Sequence, residues 1–94
     1  MSDFLYPLQD IIRVRKALPQ SGSYTSSLFE AGLPRISQKV GEEAVEVVVA
    51  ALSQQRAEQI GEISDLIYHT LVLLAALDLT LDDISAELER RHAR

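Results

Sequence analysis

The chain has no cysteine and no tryptophan among its 94 residues. Without thiols it can form no disulfide and no thiolate metal site, so neither supports a fold this small. That fits a reducing compartment, and a cytoplasmic location is expected. Positive charge is scarce too: 9 Lys and Arg face 14 Asp and Glu, for a net charge of −5. Such a balance argues against general binding to a nucleic acid backbone. It leaves room for a nucleotide that arrives with its own divalent cation. Long apolar runs are also missing. The longest unbroken one, residues 71–77, is far too short to span a bilayer, and residues 1–10 lack the basic-then-apolar pattern of a signal peptide.

At 47% hydrophobic residues, the chain suffices for one small domain, taken as residues 1–94. Chains of this length bury a modest share of their surface and often lean on metal or oligomerisation. Residues 8–18 carry apolar positions at a near-helical period, with Pro7 suited to a first turn and Pro19 ending the run. The basic residues Arg13, Arg15 and Lys16 there read as a solvated face near a helix C-terminus. A polar loop, residues 20–27, supplies Ser23, Thr25 and Ser26 as N-cap candidates, or hydroxyls that could hold phosphate. A short helix then runs to Ala31, stopped by Gly32, and Pro34 restarts the pattern.

Residues 34–53 would suit a strand at their valines, but length and acidic spacing decide for helix. Apolar residues surround most of this helix, which predicts burial in a bundle or at a subunit contact. Gly41 inside it predicts a close backbone approach. After a short connection, residues 57–77 form a second long helix whose final segment, 71–77, is apolar on every face and again points to a subunit contact. Thr80 with Asp83 caps a last amphipathic helix. Five helices with short connections give an all-α bundle, completed by dimerisation.

The chemistry lies in two acidic words. At about 100° per residue, Glu42, Glu43 and Glu46 share an arc of about 100° with Arg35 and Lys39. On the second long helix, Glu62, Asp65 and His69 fall within about 60°. A tight connection packs the two helices antiparallel, so these faces would meet. Carboxylates so placed repel one another and ask for a counter-charge, which a divalent metal supplies. Oxygen ligands without thiolate favour Mg²⁺, or Mn²⁺, and Mg²⁺ is commonly shared with substrate phosphates, so a polyphosphate substrate is expected. Lys39 and Arg35 could neutralise the acids or clamp phosphate oxygens. His69 reads as a partner of Asp65 one turn away or as a substrate contact.

The pattern Glu42-Glu43-x-x-Glu46 followed by Glu62-x-x-Asp65 resembles the signature of the all-α NTP pyrophosphatase (MazG-like) superfamily. The flanking words are Gly22-Ser23-Tyr24-Thr25, Lys39-Val40-Gly41-Glu42-Glu43-Ala44-x-Glu46, Asp65-Leu66-Ile67-Tyr68-His69 and Leu88-x-x-Arg91-His92. They are similar to the phosphoribosyl-ATP pyrophosphohydrolase family of histidine biosynthesis, in a form without the cyclohydrolase domain to which some members are fused. The resemblance implies Mg²⁺-dependent hydrolysis of phosphoribosyl-ATP to phosphoribosyl-AMP and pyrophosphate by a homodimer. It implies Glu43, Glu46, Glu62 and Asp65 as metal ligands and Glu42 as the residue that orients or deprotonates water. It also implies substrate contacts from Ser23, Tyr24, Thr25, Arg35, Lys39 and His69. A house-cleaning pyrophosphatase for non-standard or deoxy-NTPs shares the acidic words, and a purely structural helical module would carry such acids only for solvation.

Overall fold

The computed structural model describes residues 3–93, which form α1 (Leu5–Ala17), α2 (Tyr24–Ala31), α3 (Leu33–Ser53), α4 (Arg56–Ala76) and α5 (Leu81–His92). No strand occurs among the described residues, so the valine-rich segment of α3 is helical as its length and acidic spacing predict. Local signals set most boundaries. Ser23 caps α2 by accepting from Ser26 N at 3.1 Å, and Gly32, at φ +98°, closes α2 and opens α3. Thr80 and Asp83 form the expected capping box of α5, with Asp83 N donating to Thr80 Oγ1 at 3.2 Å and Thr80 N to Asp83 Oδ2 at 2.9 Å. Gln55 and Glu58 do the same for α4, which therefore begins one residue before the expected start. The first helix starts three residues early because Asp3 Oδ1 accepts from Leu5 N, at 3.2 Å, and leaves Pro7 in the first turn.

α3 and α4 make the most extensive helix pair, an antiparallel hairpin, and α1 and α2 pack across one end of it. There Ile12, Leu28, Ile36, Leu71, Val72, Leu74 and Ala75 form the core. The apolar run 71–77 is thus mostly consumed inside this chain. Within the chain, α1, α2 and α3 close on α4 from several sides, which accounts for its all-round apolar character without requiring the expected subunit contact. At the other end the hairpin is bare. Val45, Val48, Val49 and Leu52 of α3 are exposed, Leu52 at 83%, as are Ile60, Ile63 and Ile67 of α4. Ile63 and Ile67 lie on the α4 face that carries Leu71 and Leu74, so one apolar stripe is covered at one end and open at the other.

Two further details depart from the sequence reading. Nothing lies within 4 Å of a Cβ built on Gly41, so this glycine permits no close approach in the chain. Gly41→Ala is accordingly expected to stabilise the protein by about 0.5–1 kcal/mol in urea denaturation, through helix propensity alone. A loss of stability instead would mean that another surface packs on Gly41 in solution.

Lys16 is not simply solvated. Its Nζ donates to Ala75 O and to Asp78 Oδ1, each at 2.8 Å, and so caps the C-terminal end of α4. Asp78 takes the left-handed conformation there, at φ +58°. The hydrogen bond and charge of Lys16, with a smaller contribution from Arg13, hold its carboxyl below the usual range against its desolvation. A depressed carboxyl stabilises the fold above its unfolded pKa of about 3.9 and loses that contribution as pH falls through the folded value. Asp78→Asn, which tolerates the left-handed backbone, is expected to lower Tm at neutral pH. The difference from wild type should vanish once Asp78 is protonated, as thermal melts across the acidic range would show.

Candidate active site

The hairpin brings Glu43 of α3 against Glu62 and Asp65 of α4. One carboxylate oxygen from each lies within 4.8 Å of the other two. Glu43 and Glu62 are half-buried and Asp65 is exposed, so the cluster faces solvent from the lip of the helix pair. Burial raises the Glu62 pKa above its ordinary value, and the neighbouring charges of Glu46, Asp65 and Glu43 raise it further. Glu46 stands outside the group of three, one turn beyond Glu43, with its field falling on Glu62.

Glu42 points another way. Its carboxylate accepts from Gln38 Nε2 at 2.9 Å and lies 3.6 Å from Lys39 Nζ and 3.9 Å from Arg35 Nη1. Lys39 also reaches Glu43, at 3.3 Å, and so bridges Glu42 to the group of three. Burial lowers the Lys39 pKa, but the hydrogen bond to Glu43 and the nearby Tyr24, Glu43 and Glu42 outweigh it and hold the ammonium above its usual value. The five acids that a helical wheel places in two facing arcs therefore divide. Three converge, Glu46 flanks them, and Glu42 joins the cations.

The N-terminus of α2 meets α4 beside this cluster. His69 is buried, with Nδ1 2.7 Å from the Asp65 carbonyl oxygen and Nε2 2.8 Å from the Tyr24 hydroxyl. Thr25 Oγ1 and the Tyr68 hydroxyl are hydrogen-bonded, and the Tyr24 and Tyr68 rings stack with centroids 6.2 Å apart. Tyr68 lies outside the acidic words, and the Asp65-x-x-Tyr68 spacing places it one turn on from a cluster carboxylate. Ser23 is committed to its cap, and Ser26, buried, accepts from Gln20 N at 2.9 Å to brace the loop. An open cavity of about 810 Å³ lies against the same loop, lined by Lys16, Ser23, Ser27, Phe29, Glu30 and Ile36 among others, and none of the cluster carboxylates borders it.

The three converging acids offer only oxygen, on two rigid helices, with partial burial and mutual repulsion as the cost of assembling them. That donor set fits a hard divalent cation such as Mg²⁺ or Mn²⁺. Lys39 and Arg35 add positive charge at the rim. Such a combination can hold a polyphosphate.

Known proteins similar in sequence point to one family. Residues 5–92 match the family described as phosphoribosyl-ATP pyrophosphohydrolase. A phosphoribosyl-ATP pyrophosphatase of Listeria innocua is 51% identical over 90 residues, which are 96% of this chain and 86% of the relative. A phosphoribosyl-ATP pyrophosphatase of Clostridium botulinum is 51% identical over 87 residues, 93% of this chain and 79% of the relative. A histidine biosynthesis bifunctional protein of Caldanaerobacter subterraneus is 49% identical over 92 residues, 98% of this chain but 45% of the relative. The chain thus spans less than half the length of such bifunctional relatives and most of the length of the shorter ones.

Proposed function

The chain belongs to the phosphoribosyl-ATP pyrophosphohydrolase family, and we propose that it hydrolyses phosphoribosyl-ATP to phosphoribosyl-AMP and pyrophosphate, the second step of histidine biosynthesis. The observation that carries the chemistry is the convergence of Glu43, Glu62 and Asp65 from two antiparallel helices. These three would hold Mg²⁺, with Mn²⁺ as a substitute. When bound, the ion supplies positive charge that offsets the phosphates and the leaving pyrophosphate.

The chain's own residues do the rest. Lys39 and Arg35 clamp phosphate oxygens from the rim, where Lys39 already spans Glu42 and Glu43. A carboxylate takes the proton of the attacking water as its oxygen bonds to the α phosphorus and the bridge to the β phosphate breaks. We assign that role to Glu46 rather than Glu42. Glu42 is already satisfied by Arg35, Gln38 and Lys39, whereas Glu46 has no ion pair among the described residues and lies beside the cluster.

The proposal includes a homodimer in a cytoplasmic setting. The bare apolar end of the α3–α4 hairpin adjoins the cluster, and a second copy would cover it. No single helix among the described residues is long and apolar enough to cross a membrane. The test is turnover of phosphoribosyl-ATP beside a panel of NTPs and dNTPs, with Mg²⁺ and with chelator. Preference for phosphoribosyl-ATP, abolished by chelator, is expected. Preference for dNTPs would move the chain's activity to nucleotide house-cleaning, and no turnover at all would overturn the catalytic proposal.

A further inference from the structure

His69 and Tyr24 constrain each other's protons. The Nδ1 of His69 lies 2.7 Å from the carbonyl oxygen of Asp65, which can only accept, so Nδ1 carries the hydrogen. In the neutral imidazole Nε2 is then bare and can only accept. Its partner at 2.8 Å is the Tyr24 hydroxyl, which must be the donor. The phenol's one hydrogen is therefore used up inside the protein. What Tyr24 offers outward is lone pairs alone, on a residue 51% exposed.

That direction has a chemical consequence. A phosphate oxygen at the Tyr24 oxygen would set acceptor against acceptor. A sugar hydroxyl would donate to it. Tyr24 is separated from the backbone of Asp65 by a single imidazole ring and two hydrogen bonds, and it interacts electrostatically with Lys39, which binds Glu43. If the cluster holds the phosphates, the first donor-bearing group beyond the α phosphate is the ribose attached to it. We propose that Tyr24 accepts a hydrogen bond from a hydroxyl of that ribose, and that buried His69 fixes this polarity without touching substrate. Tyr24 is thus a specificity residue for that ribose hydroxyl, and His69 is its positioning residue. The inference rests on the proposed polyphosphate site, and it goes beyond it by assigning a sugar contact.

The surroundings support a fixed geometry. The Tyr24 ring stacks on Tyr68, Tyr68 bonds Thr25, and both tyrosine rings meet His69 edge-on at 5.8 and 5.0 Å. Phenylalanine at position 24 would keep the stack and lose only the oxygen. Glutamine at position 69 places an amide oxygen near the Nε2 position and can still accept from Tyr24, whereas asparagine is too short and reaches only the Asp65 carbonyl.

The experiment compares kcat/KM for phosphoribosyl-ATP with that for its analogues lacking the 2′ or the 3′ hydroxyl on the adenosine ribose. Wild type is expected to disfavour one analogue by about tenfold or more, since a site that pairs a hydroxyl rejects the analogue lacking it. In Tyr24→Phe the preference should fall to near unity, because the ribo substrate loses and the deoxy analogue does not. His69→Gln should keep part of the preference and His69→Asn should abolish it, a split that a merely structural histidine would not give. Circular dichroism confirms that each variant is folded, and the ¹⁵N shifts of His69 report the Nδ1–H tautomer directly. Undiminished preference in Tyr24→Phe, or none in wild type, overturns the proposal even where phosphoribosyl-ATP itself is hydrolysed. Failure of wild type on all three substrates would instead count against the polyphosphate site on which it rests.

Discussion

Glu62→Gln is expected to lower kcat/KM for phosphoribosyl-ATP by at least about a hundredfold while leaving the metal-free protein as stable as wild type or more so. The two effects have one origin. Glu62 sits half-buried against Glu43 and Asp65, with Glu46 nearby, and its carboxyl is held above its ordinary pKa by burial first and by those charges second. A carboxyl raised in the folded state is easier to ionise in the unfolded chain. Its ionisation therefore works against the fold. That penalty is absent below the unfolded carboxylate value, grows as pH rises towards the raised folded value, and is complete above it. Glutamine has nearly the same shape and no charge, so it removes the penalty at neutral pH together with the metal affinity. Mg²⁺ should raise the Tm of wild type, increasingly with the logarithm of its concentration above the dissociation constant, and leave that of Glu62→Gln nearly unmoved. A thermal shift series over Mg²⁺ concentration, with activity measured beside it, reads both effects. Wild-type activity in Glu62→Gln would remove Glu62 from the site.

The second large effect concerns the bare end of the hairpin. Val48→Glu is expected to weaken self-association by at least about a hundredfold in sedimentation equilibrium, with helicity unchanged. Val45, Val48, Val49 and Leu52 are all exposed on one side of α3, opposite its buried residues, and Ile60, Ile63 and Ile67 of α4 are exposed at the same end of the hairpin. Full burial of one such side chain is worth about 1.5–3 kcal/mol, so a partner covering several would bind firmly. Within one chain Val48 is 56% exposed. Glutamate there costs the isolated fold little and improves helix propensity, so the loss would appear in association. A wild-type protein that sediments as a monomer at micromolar concentration would refute the dimer.

Much of the fold is legible in the sequence because its helix ends are written locally. Ser23, Gly32, Pro34, Thr80 and Asp83 all act within a turn of where they stand. The two long helices follow from period and length, and the short link between them makes them pack as a hairpin. What escapes is the identity of each helix's neighbours. Periodicity marks residues 71–77 as apolar on all sides but cannot say whether the covering surface is α1, α2 and α3 or another chain. Nor does it show that Lys16 reaches Ala75 and Asp78 across about sixty residues of sequence. At the site, the wheel groups Glu42, Glu43 and Glu46 in one arc, yet that arc spans both the seam with α4 and the outer rim. Glu43 faces the seam and Glu42 the rim, where Arg35 and Lys39 hold it. The orientation of the Tyr24–His69 hydrogen bond depends on a backbone carbonyl one turn away, which no motif displays.

The most direct test of the central proposal is ³¹P NMR of the products formed from phosphoribosyl-ATP with Mg²⁺. Equal amounts of pyrophosphate and phosphoribosyl-AMP, formed by wild type and by neither Glu62→Gln nor Asp65→Asn, are expected if the three carboxylates direct attack at the α phosphorus. Orthophosphate with phosphoribosyl-ADP, or unchanged product formation in both variants, would contradict it.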